Sequence, residues 1–137
     1  MNREIKFRGK SVKSGEWVYG YLLKDERDFC YIVRPQNIGA IYAKGSINGT
    51  HDIAIVGCCE VIPETVGESI NKFDKSSTKM HEGDILLSKD GLRKYAVTYN
   101  EKHLCWYLKG VGNAWCVLDM IHWEDYEIIG NIHEEKP

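Results

Sequence analysis

Apolar and polar residues alternate from the start of the chain. Ile5-Lys6-Phe7-Arg8 sets Ile5 and Phe7 on one side and Lys6 and Arg8 on the other, the period-two pattern of a half-buried strand. A turn at Ser14-Gly15 precedes Trp17-Val18-Tyr19-Gly20-Tyr21-Leu22-Leu23. There Trp17, Tyr19 and Tyr21 share one face and Val18 and Leu22 the other, which reads as the second arm of a hairpin. After a charged connection, Lys24–Asp28, the run Phe29–Val33 predicts a third strand that Pro35 stops. Short apolar pieces at Ile41-Tyr42 and Ile53–Val56 flank a Gly/Asn/Ser-rich loop, Lys44–Thr50, and Val61-Ile62 runs into Pro63.

From Glu64 to Lys79 the pattern changes. Thr65-x-x-Glu68 fits a capping box, and Val66, Ile70 and Phe73 fall at helical spacing, so this stretch is where one short helix is expected; Gly67 in its first turn weakens it. Asp74–Lys79 reads as a loop. Five short strands are expected beyond it: Asp84–Ser88, Lys94–Tyr99, Leu104–Leu108, Ala114–Leu118 and Tyr126–His133. Turn residues at Asp90-Gly91, Asn100-Glu101 and Gly110–Asn113 separate them. The expected fold is mainly β, with at most one short helix. Its parts are an N-terminal β-hairpin and sheet region over residues 1–63, a connecting segment over 64–80 and a small β-barrel over 81–137, or else one continuous domain over 1–137.

Composition narrows the function classes. The 137 residues are 43% hydrophobic and 28% charged, which is ordinary globular composition. Eighteen basic against twenty acidic residues leave a net charge of −2, unlike a protein that coats DNA. No apolar run approaches the roughly 20 residues that cross a bilayer, and the N-terminus builds no apolar signal segment. A soluble, cytoplasmic protein with no membrane association is expected. The five cysteines (30, 58, 59, 105 and 116) are odd in number, include no Cys-x-x-Cys and suit small buried hydrophobes in a reducing compartment.

Three segments in one order resemble the YopX family of small phage and prophage proteins. They are Arg3-Glu4-Ile5-Lys6-Phe7-Arg8 with Trp17-Val18-Tyr19-Gly20-Tyr21; Pro63-Glu64-Thr65-Val66-Gly67 with His81-Glu82-Gly83-Asp84-Ile85; and Glu127-Ile128-Ile129-Gly130-Asn131-Ile132-His133-Glu134. Where the family carries Thr-Gly-Leu before an Asp-Lys turn, this chain has Ser69-Ile70-Asn71 and keeps only Asp74-Lys75. The resemblance implies a β-rich protein with an SH3-like barrel in its C-terminal half and a phage or prophage origin. It implies no activity.

The matched residues read as structure before chemistry. Gly83 suits a reversal just before a strand, and Asp84 suits the backbone amides of that turn. Gly130-Asn131 inside an apolar run suggests a bulge. Glu82 and Asp84 as an acid–base pair lack a third group converging on them. Arg3, Lys6 and Arg8 are expected on the wet face of their strand rather than on phosphate. His51, Cys58, Cys59 and His81 have the wrong spacing for a zinc knuckle, so neither metal nor cofactor is expected. His103 and Cys105 share a face if both lie on a strand, but no group orients them for nucleophilic catalysis. Glu82, Asp84, His103 and His122 are the acids and bases that an enzyme reading needs together in one pocket. Trp106, Tyr107, Trp115 and Trp123 crowd the second half; Trp106, Tyr107 and Trp115 are the candidate interaction surface. The expected function is binding without catalysis, to a protein partner or within a homo-oligomer, with nucleic acid as the alternative.

Overall fold

The computed structural model of the chain describes residues 5–34, 41–45, 51–55, 58–112 and 114–134, with the backbone path of 41–45 and 51–55. Arg3, Pro35, Val56 and loop residues 46–50, all named above, lie outside the described residues. The fold is mainly β and antiparallel. The chain divides into two compact units, Met1–Val66 and Gly67–Pro137.

In the first unit, β1 (Phe7–Lys10) and β2 (Trp17–Lys24) form the expected hairpin, with Phe7 opposite Gly20 and Lys10 opposite Trp17. The Ser11 hydroxyl accepts from the Lys13 and Ser14 amides and holds the turn. β3 (Cys30–Val33) pairs with β2. β4 (Ile41–Gly45) and β5 (His51–Ile55) pair with each other. β6 (Cys58–Val61) pairs with β3, giving the order β6-β3-β2-β1. Val18, Cys30, Ile32 and Val61 are buried together, with Phe7 and Leu22 against them. The end of β1 also meets the end of β6: Ser11 bridges Val61, and the Ile62 amide donates to the Lys10 carbonyl at 2.8 Å. Gly9 makes this approach possible, because a Cβ there would lie 2.8 Å from Val61 Cβ.

Two expectations fail in this unit. Arg8 is not on the wet face: it is 5% exposed, and its guanidinium carbon lies 4.3 Å from the centre of the Trp17 ring. The diagonal β1–β2 register brings that ring over it. Nor are the cysteines uniformly buried: Cys30 is, but Cys58 is exposed and Cys59 half-buried, on opposite sides of β6.

The helix expected from Thr65 onward does not form. A single 3-10 turn, Pro63–Thr65, ends there; the Thr65 hydroxyl donates to the Ile62 carbonyl at 2.6 Å and accepts from the Lys10 amide at 2.9 Å. The next residues extend as β7 (Gly67–Phe73), which pairs with β8 (Lys79–His81). Helical spacing misleads because Phe73 is 52% exposed, so there is no apolar helical stripe to bury.

The rest of the second unit is a meander of β9 (Asp84–Leu87), β10 (Lys94–Asn100) and β11 (Cys105–Val111). A 3-10 turn, Trp123–Asp125, then leads into β12 (Glu127–Asn131), which returns to β9. The strand order is β11-β10-β9-β12. Among the described residues this is an open sheet and not a closed barrel. Ala114–Leu118 is not the expected strand; it makes one isolated bridge, Leu108 to Val117. The chain doubles back so tightly after β11 that a Cβ on Gly110 would collide with the Ala114 carbonyl. Register places Leu86 opposite Tyr95 and Leu108 opposite Val97, and these four side chains pack with Ile70 and Met80 in the core. Fully burying an aliphatic side chain of this size contributes about 1.5–3 kcal/mol.

Candidate functional site

Two of the segments that carry the YopX resemblance meet in the second unit. Gly83 takes a φ of +90°, its amide donates to the Val97 carbonyl at 2.9 Å, and its own carbonyl accepts from the Ile132 amide at 2.9 Å. A Cβ at Gly83 would touch Ile132 Cγ1 at 3.4 Å. Asp84 is 1% exposed, and its Oδ2 accepts from the His81 amide at 2.8 Å. Asp84 stands opposite Asn131 in the β9–β12 register. Asn131 Oδ1 accepts from the His133 amide at 2.8 Å, just past a bulge between Ile128 and Gly130. These buried polar groups hold backbone amides on two abutting turns. Beside them, burial pushes the Glu82 carboxyl above its ordinary 4.5, and the Glu68 charge adds to the effect.

A second polar anchor escaped the sequence reading. Asp74 is 6% exposed; its Oδ1 accepts from the Ser76 and Thr78 amides at 2.9 and 2.8 Å, and its Oδ2 accepts from the Ile128 amide at 3.0 Å. The neighbouring Lys75 amide donates to the Tyr126 carbonyl at 2.9 Å, and Lys75 Nζ lies 3.4 Å from Glu127 Oε2. The Asp-Lys pair retained from the family pattern thus fixes the start of β12 and with it Tyr126. The signal was present as an Asp followed by a short polar run, the mark of an Asx turn.

Tyr126 forms one wall of a cleft of about 380 Å³ at the β9–β10 turn. Tyr95 meets it edge to face, ring centres 5.9 Å apart and planes at 86°. The turn is braced from within: the Asp90 carboxylate accepts from the Ser88 hydroxyl and the Leu92 amide, which hold it below the ordinary carboxylate range. Burial pushes the Tyr126 phenol up, with Tyr95, Asp125 and Asp90 adding to it, so it stays a hydrogen-bond donor at neutral pH. His122 lines the same cleft, but Glu82, Asp84 and His103 do not. A second cleft of about 370 Å³, lined by Leu92, Arg93, Lys94, Val111 and Ala114, shares Arg93 with the first.

The three aromatic candidates take different places. Trp106 turns to the core face, edge-on to Tyr99 at 5.2 Å, while Tyr107 beside it points to the other face of the sheet. Trp115 is 82% exposed. Leu92 and Met120, which the sequence reading passed over, are 82% and 88% exposed; each sits outside a regular strand, with no periodicity to mark it. Trp123 packs on the core. His103 and Cys105 do not share a strand face: His103 lies in the β10–β11 turn, and Leu104 between them has a φ of +52°. The side chain of His51 lies outside the described residues, among which no group of three or more His, Cys, Asp or Glu is placed to hold a metal ion. No described helix is long and apolar enough to cross a membrane.

A comparison with curated proteins finds no match. A family profile described as YopX protein matches residues 6–136. The match contains both turns at Gly83 and Asn131, the Asp74 anchor and the β1–β2 hairpin, and by that nearly full-length correspondence the chain belongs to the YopX family.

Proposed function

We propose that this YopX-family protein is a phage- or prophage-encoded accessory protein that acts by binding and not by catalysis, engaging a protein partner or a second copy of itself in the host cytoplasm. The observation that carries the reading is the exposure of Trp115, Leu92 and Met120 on the second unit. Aromatic residues and Met are enriched where protein partners bind. The absence of catalysis is supported by Asp84, whose buried carboxylate holds a backbone amide. An SH3-like reading of this unit is supported by its strand path: a meander β9–β10–β11, a 3-10 turn and a last strand that returns to β9. A nucleic-acid partner is the second reading, favoured by Arg93 and Lys94 in the cleft beside Leu92, with an exposed Trp115 available for stacking.

The test is recovery of partners by tagged protein and by its Trp115→Ala variant, with and without nuclease, with the mass in solution measured by light scattering. Binding or self-association that survives nuclease and weakens at least tenfold in the variant supports a protein interface. Recovery abolished by nuclease moves the function to nucleic acid. Identical behaviour of both proteins removes Trp115 from any interface, and turnover of a substrate removes the non-catalytic reading.

A further inference from the structure

The cleft beneath the β9–β10 turn carries more open chemistry than the fold requires. Lys89, Arg93 and Asp125 all line it, and among the described residues none of their side chains makes an ion pair or a hydrogen bond. The other carboxylate there, Asp90, is taken up by Ser88 and the Leu92 amide. Two cations, Lys89 and Arg93, and two carboxylates, Asp90 and Asp125, therefore line the same space, and the Arg93 charge acts on Asp90. The wall is aromatic: Tyr95, 3% exposed, lies at the back, and Tyr126 stands edge-on to it. Met120 offers a polarizable thioether at the rim, suited to the face or edge of a ring. A volume of about 380 Å³ falls in the range of small-ligand sites, roughly 300–1,000 Å³.

We propose that this cleft binds a nucleoside 5′-monophosphate group, its phosphate held by Lys89 and Arg93, its base against Tyr126 and Met120, and its sugar hydroxyls or exocyclic amine donating to Asp125. No single part of this set is selective. Together they call for a flat ring, an anion and a hydrogen-bond donor in one molecule, and a phosphorylated nucleoside carries all three. The same group occurs as a free mononucleotide and as the 5′-phosphorylated end of a single strand.

The experiment is calorimetric titration of the full chain with AMP, GMP, CMP and UMP, with each unphosphorylated nucleoside, and with a short single strand bearing a 5′-phosphate or a 5′-hydroxyl. Saturable binding of at least one mononucleotide is expected, at least tenfold tighter than its nucleoside. Lys89→Gln with Arg93→Gln should weaken it at least tenfold and erase the advantage of the phosphate. Asp125→Asn should change the order of preference among the four bases while keeping that advantage. Both residue sets are exposed or half-exposed, and an unchanged urea midpoint establishes that the variants are folded. Equal affinity for mononucleotide and phosphorylated strand identifies the free nucleotide as ligand; a strand that binds tighter only with its 5′-phosphate identifies the strand end. No saturable binding of any mononucleotide, equal binding of nucleoside and nucleotide, or full affinity in the doubly substituted protein overturns the assignment.

Discussion

Removing the Asp74 carboxylate should unlock the second unit at one point. Asp74→Ala takes away three acceptor contacts at once, to the amides of Ser76, Thr78 and Ile128. A hydrogen bond to a charged group contributes about 1.5–3 kcal/mol, and an orphaned buried donor costs about 1–3 kcal/mol. The Ser76 and Thr78 amides sit on a turn where water can replace the carboxylate, so most of the loss falls on the Ile128 contact. The expected destabilisation is about 2–4 kcal/mol rather than the full sum of three bonds. With a urea m-value of roughly 1–3 kcal/mol/M, that is a midpoint lowered by on the order of 1–2 M. The assay is equilibrium urea unfolding followed by tryptophan fluorescence, since Trp106 and Trp123 pack on the same core. Asp74→Asn, which keeps an acceptor for the turn but points an amide group at one of the donors, should fall between the parent and the alanine variant. A midpoint within 0.2 M of the parent for Asp74→Ala, roughly a few tenths of a kcal/mol, would refute the clamp.

Other outcomes follow from the same contacts. Glu82 has a folded-state carboxyl raised by burial and by Glu68, so its ionisation opposes folding: stability falls as pH rises from the ordinary value of 4.5 through the raised one. Glu82→Gln should therefore be more stable than the parent at pH 7 and equal to it below about pH 4, read from thermal melts across that range. Gly9→Ala forces a methyl against Val61 and should cost about 1–3 kcal/mol in denaturant unfolding; a neutral result would mean that β1 and β6 separate freely at that end. Trp115→Ala should leave the melting temperature nearly unchanged, within about 0.5 kcal/mol of stability, because its ring lies in solvent; a larger loss would place Trp115 in the core.

Period-two alternation was a sound guide wherever one face of a strand is buried. It located β1, β2 and β3, and it set Val18 and Leu22 on one shared face, which is the core side in the structure. It failed for Ala114–Leu118, where composition suits a strand but the contact between Gly110 and the Ala114 carbonyl turns the chain back. Helical spacing misled over Gly67–Phe73, where it coincides with an extended backbone fixed by the β7–β8 hairpin. Arg8 shows the limit from the other side: its burial depends on a ring across the hairpin, not on its own strand. Gly83, Asp84, Gly130 and Asn131 were legible one by one as turn residues, but not that the two turns abut. The cleft was not legible, because the Arg93–Tyr95 and Asp125–Tyr126 segments are far apart in sequence and no spacing links them.

The return of the last strand has a kinetic meaning. The hairpins β9–β10 and β10–β11 close short loops, whereas the Asp74–Ile128 bond joins residues 54 positions apart. Loop-closure entropy favours the short closures first and leaves β12 to dock last. Tyr126 and Asp125 reach their places only in that final step, so the cleft is a property of the finished fold and of no partly folded form. A molecule that occupies it binds the native state alone and raises the unfolding midpoint in proportion to the logarithm of its concentration. The chain would then report its own ligand through its resistance to unfolding.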